Sequence, residues 1–172
     1  MKIAVIGAGA IGSLLAGYLA EKNEQVTLIA RPAQASVLSK DGLIIEGVRK
    51  RKLIKLPTGK QLNQKADLVI LATKTQDLEK AISENLAYLE GAHILTIQNG
   101  IRAEKIVAEK IGSDNLFSSI VMFGVTYLAP GKIIHNFEGD WILGRLNSAA
   151  KEALAEIRKV SSKIFPSLLA MT

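Results

Sequence analysis

Near the amino terminus, Gly7-Ala8-Gly9-Ala10-Ile11-Gly12 has the spacing G-x-G-x-x-G. Placed between a buried strand and a helix, that spacing serves pyrophosphate binding. Gly7 permits the tight turn, Gly9 lets the backbone approach the phosphates, and Gly12 lets the helix lie close to the strand. The helix N-terminus adds free N–H groups and a positive dipole end. A second apolar run, Val26-Thr27-Leu28-Ile29-Ala30, is followed by Arg31. An acid at that point would bind a ribose 2′-hydroxyl, whereas a guanidinium suits a 2′-phosphate. The expected cofactor is therefore NADP(H). Lys74 follows the run Asp67–Thr73, and Gln98-Asn99-Gly100 follows Ile94–Ile97. Both should stand at the carboxyl edge of a sheet, where ligands of open α/β folds bind. For proton transfer the chain offers Lys74, His93, His135 and Tyr127. His93 reads as a residue at a strand start and His135 as a satisfied strand histidine, so no catalytic residue is assigned. No cluster has metal-ligand spacing, and no metal is expected.

The elements that must position these residues alternate in period. Ile3–Ile6, Val26–Ala30, Asp67–Thr73, Ile94–Ile97 and Phe117–Phe123 read as strands, the first three as buried runs. Helical spacing covers 11–22, with Ile11, Leu14, Leu15, Tyr18 and Leu19 on one stripe. Further helices are expected from Pro32 to Asp41, from Thr75 to Leu89 with Leu78, Ile82, Leu86 and Leu89 inward, over 101–111, and from Ser148 to Ile164. Leu43–Ile45 and Leu53-Ile54 suggest a hairpin, Pro57-Thr58-Gly59 a turn, and 125–144 antiparallel strands. The expected fold is α/β, Rossmann-type and doubly wound. Its mostly parallel sheet carries helices on both faces and an antiparallel extension near 117–144.

Composition narrows the class. The chain has 172 residues, 48% hydrophobic and 22% charged, enough for a core without staples. It has no cysteine, which removes disulfides, thiolate nucleophiles and Cys-ligated metals. No apolar run approaches the ~20 residues of a membrane helix. A cytoplasmic protein with no membrane partner is expected. Net charge is +6, yet Arg49, Lys50, Arg51, Lys52, Lys55, Lys60 and Lys65 carry seven positive charges with no acid between. Aromatics are absent there, so a solvated hairpin is expected rather than a nucleic-acid site.

Together, Gly7–Gly12, Arg31, Lys74 in Ala72-Thr73-Lys74, Gln98-Asn99-Gly100, and Pro130–His135 with Gly139 and Ile142-Leu143-Gly144 resemble the N-terminal domain of the 2-dehydropantoate 2-reductase (ketopantoate reductase) family. The resemblance runs from Met1 to about Phe165. It implies that the glycine loop and Arg31 hold NADPH. It also implies that Lys74 and Asn99 line the cofactor site, that Asn99 touches substrate, and that Tyr127 lies near a further cofactor contact. Enzymes of that family carry a second, helical domain with the catalytic lysine and most substrate contacts.

Residues 1–165 are thus expected to form the NADP-binding domain and 166–172 the start of that helical domain, the rest of which is missing from this chain. The implied activity is reduction of a 2-keto acid, 2-dehydropantoate, to pantoate for pantothenate and coenzyme A synthesis. The chain alone is expected to be inactive. A stand-alone dinucleotide-binding or sensor module without catalysis is the alternative, and self-association into a homo-oligomer is left open.

Overall fold

The computed structural model describes residues 1–146 and 151–169. In chain order the elements are β1 (Lys2–Ile6), α1 (Ala10–Glu21), β2 (Gln25–Ile29), α2 (Pro32–Asp41), β3 (Leu43–Gly47), β4 (Lys52–Ile54), β5 (Thr58–Gly59), β6 (Leu68–Leu71), α3 (Thr75–Leu89), β7 (His93–Thr96), α4 (Arg102–Ile111), β8 (Leu116–Val121), β9 (Gly124–Ala129), β10 (Lys132–Phe137), β11 (Trp141–Arg145), α5 (Lys151–Ser161) and β12 (Ser167–Leu169). The Ser148 start expected for α5 lies outside the described residues.

Eight strands form the main sheet in the order β12-β11-β8-β7-β6-β1-β2-β5. Strands β8 to β5 in that order run parallel, and β11 is antiparallel to β8. The apolar runs explain the central strands. Ile3 and Val5 of β1, with Leu68 and Ile70 of β6, pack into a core shared with α1 and α5. Ala4 and Ile6, with Val69 and Leu71, face the opposite core, which α3 and α4 cover. Successive side chains point to opposite faces, so a strand covered on both sides is apolar throughout.

Four strands form a second sheet in the order β4-β3-β10-β9. The expected hairpin is present as the antiparallel β3–β4 pair, and β9–β10 is also antiparallel. Parallel pairing of β3 with β10 joins the two hairpins. The antiparallel region near 117–144 is therefore divided: β9 and β10 leave the main sheet, while β8 and β11 stay in it.

This second sheet explains α1. Every residue from Gly12 to Leu19 is buried, not just one stripe. The helix lies between the two sheets, and a side chain at Gly17 would press on Leu43 and Ile45 of β3. A helix of small and apolar residues on all sides suits that position.

Two local expectations are corrected. Thr58-Gly59 does more than turn: it pairs with Leu28 and Ile29 as an edge strand. On α3 the inward residue is Asn85, not Leu86, which is half exposed. Asn85 Oδ1 accepts the Leu62 N–H at 2.8 Å and its Nδ2 donates to the Ala81 carbonyl, so a polar side chain is buried with its bonds made. At the carboxyl end, Ser167–Leu169 pairs parallel to β11. Helix α5 supplies the crossover that a parallel neighbour requires.

Among the described residues, no helix is long and apolar enough to cross a membrane. The basic segment is a paired surface: Arg49, Arg51, Lys52 and Lys65 meet Glu138, Glu46, Glu21 and Glu90.

Candidate dinucleotide site at the carboxyl edge

From β1 the chain winds one way to β2 and β5 and the other way to β6, β7 and β8. The change of direction opens a crevice between β1 and β6 at their carboxyl ends, the ligand position of open α/β sheets. Gly7 leaves β1 there with φ +117°, and its N–H bonds the Ile29 carbonyl at 2.9 Å. A Cβ on Gly7 would lie 2.7 Å from the backbone of Ala72 and Thr73, and one on Gly12 would overlap the Gly7 carbonyl oxygen. A Cβ on Gly9 would meet no atom of the described residues within 4 Å. Two glycines are thus demanded by packing, and the third is not. Gly9 caps α1 without a side chain, and no acid stands in the first turn. The first-turn amides of a helix have no intrahelical acceptor.

Ala8 is buried, and its carbonyl accepts Gln34 Nε2 at 3.2 Å. The same nitrogen donates to the Tyr127 hydroxyl at 2.8 Å. Gln34, on α2, ties the loop to β9; sequence reasoning missed it because a glutamine on a short exposed helix carries no pattern. Ala10 and Ile11 open α1 half-buried. Thr73 Oγ1, beside Gly7, is buried with no hydrogen-bond partner among the described residues.

The other candidates reach the same edge. Arg31 caps the N-terminus of α2 with its side chain 77% exposed, and Nη2 donates to Asp77 Oδ2 at 3.0 Å. Lys74 is exposed at the N-cap of α3. Asn99 is exposed just beyond β7. Gln98 fastens these two ends together: its Nε2 donates to the carbonyls of Leu71 (2.9 Å) and Thr73 (2.8 Å). Lys60, also exposed, follows β5 at this edge. Gly59 sits opposite Ile29 and its carbonyl accepts the Ala30 N–H, so Lys60 follows β5 at the level where Ala30 and Arg31 follow β2. Counting it with the basic segment hid it; the adjoining edge strand is what sets it apart.

The histidines lie elsewhere. His93 begins β7 at the opposite edge, its ring edge-on to Phe117. His135 is fully buried on β10, with Nδ1 3.0 Å from the Tyr18 hydroxyl. Around it stand Phe123, Phe165 and the Arg49–Glu138 pair. Burial pushes the Tyr18 hydroxyl up to about 12 and lowers His135 below its usual value. The hydrogen bond from Arg49 holds the Glu138 carboxyl below the ordinary carboxylate range.

Residues 3–148 match the family model described as ketopantoate reductase PanE/ApbA. The chain is 32% identical over 163 residues to a 2-dehydropantoate 2-reductase of Pyrococcus horikoshii, covering 95% of this chain and 54% of that protein. For the enzyme of that name from Pyrococcus abyssi the figures are 36% over 156 residues, 91% and 51%. The chain thus spans about half the length of these relatives. Among solved structures it resembles D-mandelate dehydrogenase in complex with NADH and anilino(oxo)acetate, with TM-score 0.89 and 26% identity over 99% of this chain and 57% of that one. A PanE/ApbA family ketopantoate reductase from Ralstonia eutropha gives TM-score 0.87 and 25% identity, over 99% and 56%. With the family model spanning most of its length, this chain belongs to the ketopantoate reductase PanE/ApbA family.

Proposed function

We propose that this chain binds a nicotinamide dinucleotide, NADPH in preference to NADH, as the cofactor domain of an oxidoreductase that reduces 2-dehydropantoate to pantoate. The observation that carries this reading is the contrast within the glycine loop. Gly7 and Gly12 are crowded by protein, while Gly9 faces open space at a helix N-terminus. A Cβ at Gly9 would intrude only on something docked there, as a pyrophosphate requires. The nearby Thr73 hydroxyl, buried without a partner, fits a polar ligand in the same crevice.

In this reading, the loop Gly7, Ala8, Gly9, Ala10, Ile11 and Gly12 cradles the pyrophosphate at the start of α1; Gly7, whose own N–H is held by the Ile29 carbonyl, and Gly12 shape the cradle, and free amides of the first turn face the phosphates. Arg31 binds the adenosine 2′-phosphate. Lys74 and Asn99 line the nicotinamide side, and Asn99 also reaches the keto acid. The bound nicotinamide supplies hydride. Gln98 and Gln34 position the loops without touching substrate. No proton donor is assigned within the chain. Lys74 is solvent-exposed, and the Tyr127 hydroxyl is engaged by Gln34.

Calorimetric titration with NADPH and NADH tests the reading. NADPH should bind more tightly, and Arg31→Ala should weaken NADPH roughly tenfold or more, the worth of one charge-assisted contact, with little effect on NADH. Absence of binding by either dinucleotide refutes the site. Equal affinities refute the role of Arg31.

A further inference from the structure

We infer that Asp77 sets how sharply this site separates NADPH from NADH, by sharing the Arg31 guanidinium with the 2′-phosphate and so holding NADPH affinity down. The inference rests on the dinucleotide reading above.

Arg31 and Asp77 are 46 residues apart in sequence, yet their side chains meet at 3.0 Å at the carboxyl edge. Asp77 is held there by the first turn of α3, where its own N–H bonds the Lys74 carbonyl at 2.9 Å. A guanidinium offers five donors in a planar fork, so one edge can hold the carboxylate while another holds a phosphate. Two anions then stand on one cation, a few ångströms apart. A 2′-phosphate is repelled by that carboxylate. A 2′-hydroxyl is not, and can donate to it. Proteins that bind the unphosphorylated ribose place an acid at the end of the second strand. Here the acid comes from α3 instead, so it is invisible at the sequence position where it would be sought. Lys60, which follows β5 at this edge, adds a second cation and has no acid partner among the described residues. With two cations against one carboxylate, the corner keeps a preference for phosphate, narrowed by Asp77.

The test is calorimetry on the whole chain, unmutated and carrying Asp77→Asn or Asp77→Ser, with circular dichroism to establish folding. Either substitution should raise the ratio of the NADH to the NADPH dissociation constant about three- to tenfold, the scale of one screened like-charge contact. The gain should lie in NADPH, with NADH unchanged or weaker. Titration with 2′,5′-ADP and 5′-AMP should reproduce it, confining the effect to the adenosine end. It should shrink at about 1 M salt, where the Debye length is about 3 Å. A ratio raised less than threefold in both folded variants overturns the inference, as does a gain that persists undiminished in high salt. If neither dinucleotide binds the unmutated chain, the dinucleotide reading fails and this inference falls with it. Binding with an unmoved ratio overturns only the role of Asp77.

Discussion

The Tyr18 hydroxyl on α1 and Nδ1 of His135 on β10 share a buried hydrogen bond of 3.0 Å, made between residues 117 positions apart. It is a buried polar link between α1 and the second sheet, alongside the more exposed pairing of Glu21 on α1 with Lys52 on β4. Tyr18→Phe leaves the imidazole nitrogen buried without that partner. Such a loss costs about 1–3 kcal/mol. For a domain of this size each kcal/mol lowers Tm by roughly 2–4 °C. Calorimetric unfolding of the variant checks this, and an unchanged Tm would show that the bond contributes nothing net.

Acid should unfold the protein in two stages. Burial lowers the His135 pKa in the folded state, so the unfolded chain takes up that proton first. Stability from this residue is complete above the ordinary histidine value of about 6.5 and declines as pH falls below it, down to the folded value. Glu138, lowered by its bond to Arg49, contributes above the ordinary carboxylate range; that part is lost as pH falls through its folded value. His135→Phe, which keeps a ring against Phe123 and Phe165, should flatten the first decline and spare the second. Tm against pH for the two proteins measures both.

Gly9→Val and Gly12→Ala should fail in opposite ways. The first places its Cβ where no atom of the described residues stands within 4 Å, so the fold should persist while dinucleotide binding is abolished. The second drives a methyl into the Gly7 carbonyl oxygen and must shift the start of α1, costing about 1–3 kcal/mol before any ligand is considered. Thermal melts beside NADPH titrations separate the two. A folded Gly9→Val chain that still binds at micromolar levels would refute the close approach of a pyrophosphate at Gly9.

The 172-residue chain should bind NADPH without oxidising it in the presence of 2-dehydropantoate. Hydride transfer needs the ketone held within about 3–3.5 Å of the donor, an orientation that can contribute roughly 7–11 kcal/mol. The exposed Lys74 and Asn99 offer an open edge rather than an enclosure. Loss of NADPH absorbance within tenfold of the rate of a full-length relative would contradict this and make Lys74 the first residue to mutate.

Much of the main sheet and the glycine loop was legible in the sequence because their signals are local. A continuous apolar run marks β1, and Gly42 and Gly112 stop α2 and α4 where expected. Thr75–Leu89 has the bounds that its spacing predicts. What was not legible is non-local. The β3–β10 pairing joins Ile44–Gly47 to Lys132–His135, and no short-range pattern encodes it. Asn85 replaces Leu86 on the buried side because a loop residue, Leu62, needs an acceptor there. Arg31 was read by its position alone; its partner Asp77 arrives through the crossover that brings α3 to the same edge.

The confinement of α1 between two sheets bears on how the site can move. Its amides from Leu14 to Leu19 lie in a segment buried on every side, so they should exchange with solvent only through global unfolding. The helix end that faces the crevice is thus anchored to the slowest-opening part of the molecule. Arg31, Lys74 and Asn99, by contrast, are exposed at helix caps and a turn, and Asp77 is partly exposed in the first turn of α3, so these side chains can adjust on fast timescales. A ligand entering this corner meets a fixed floor and mobile walls, and the ordering it causes should register as slowed exchange at residues 31, 74–77 and 99 while the protection of α1 stays at its ceiling.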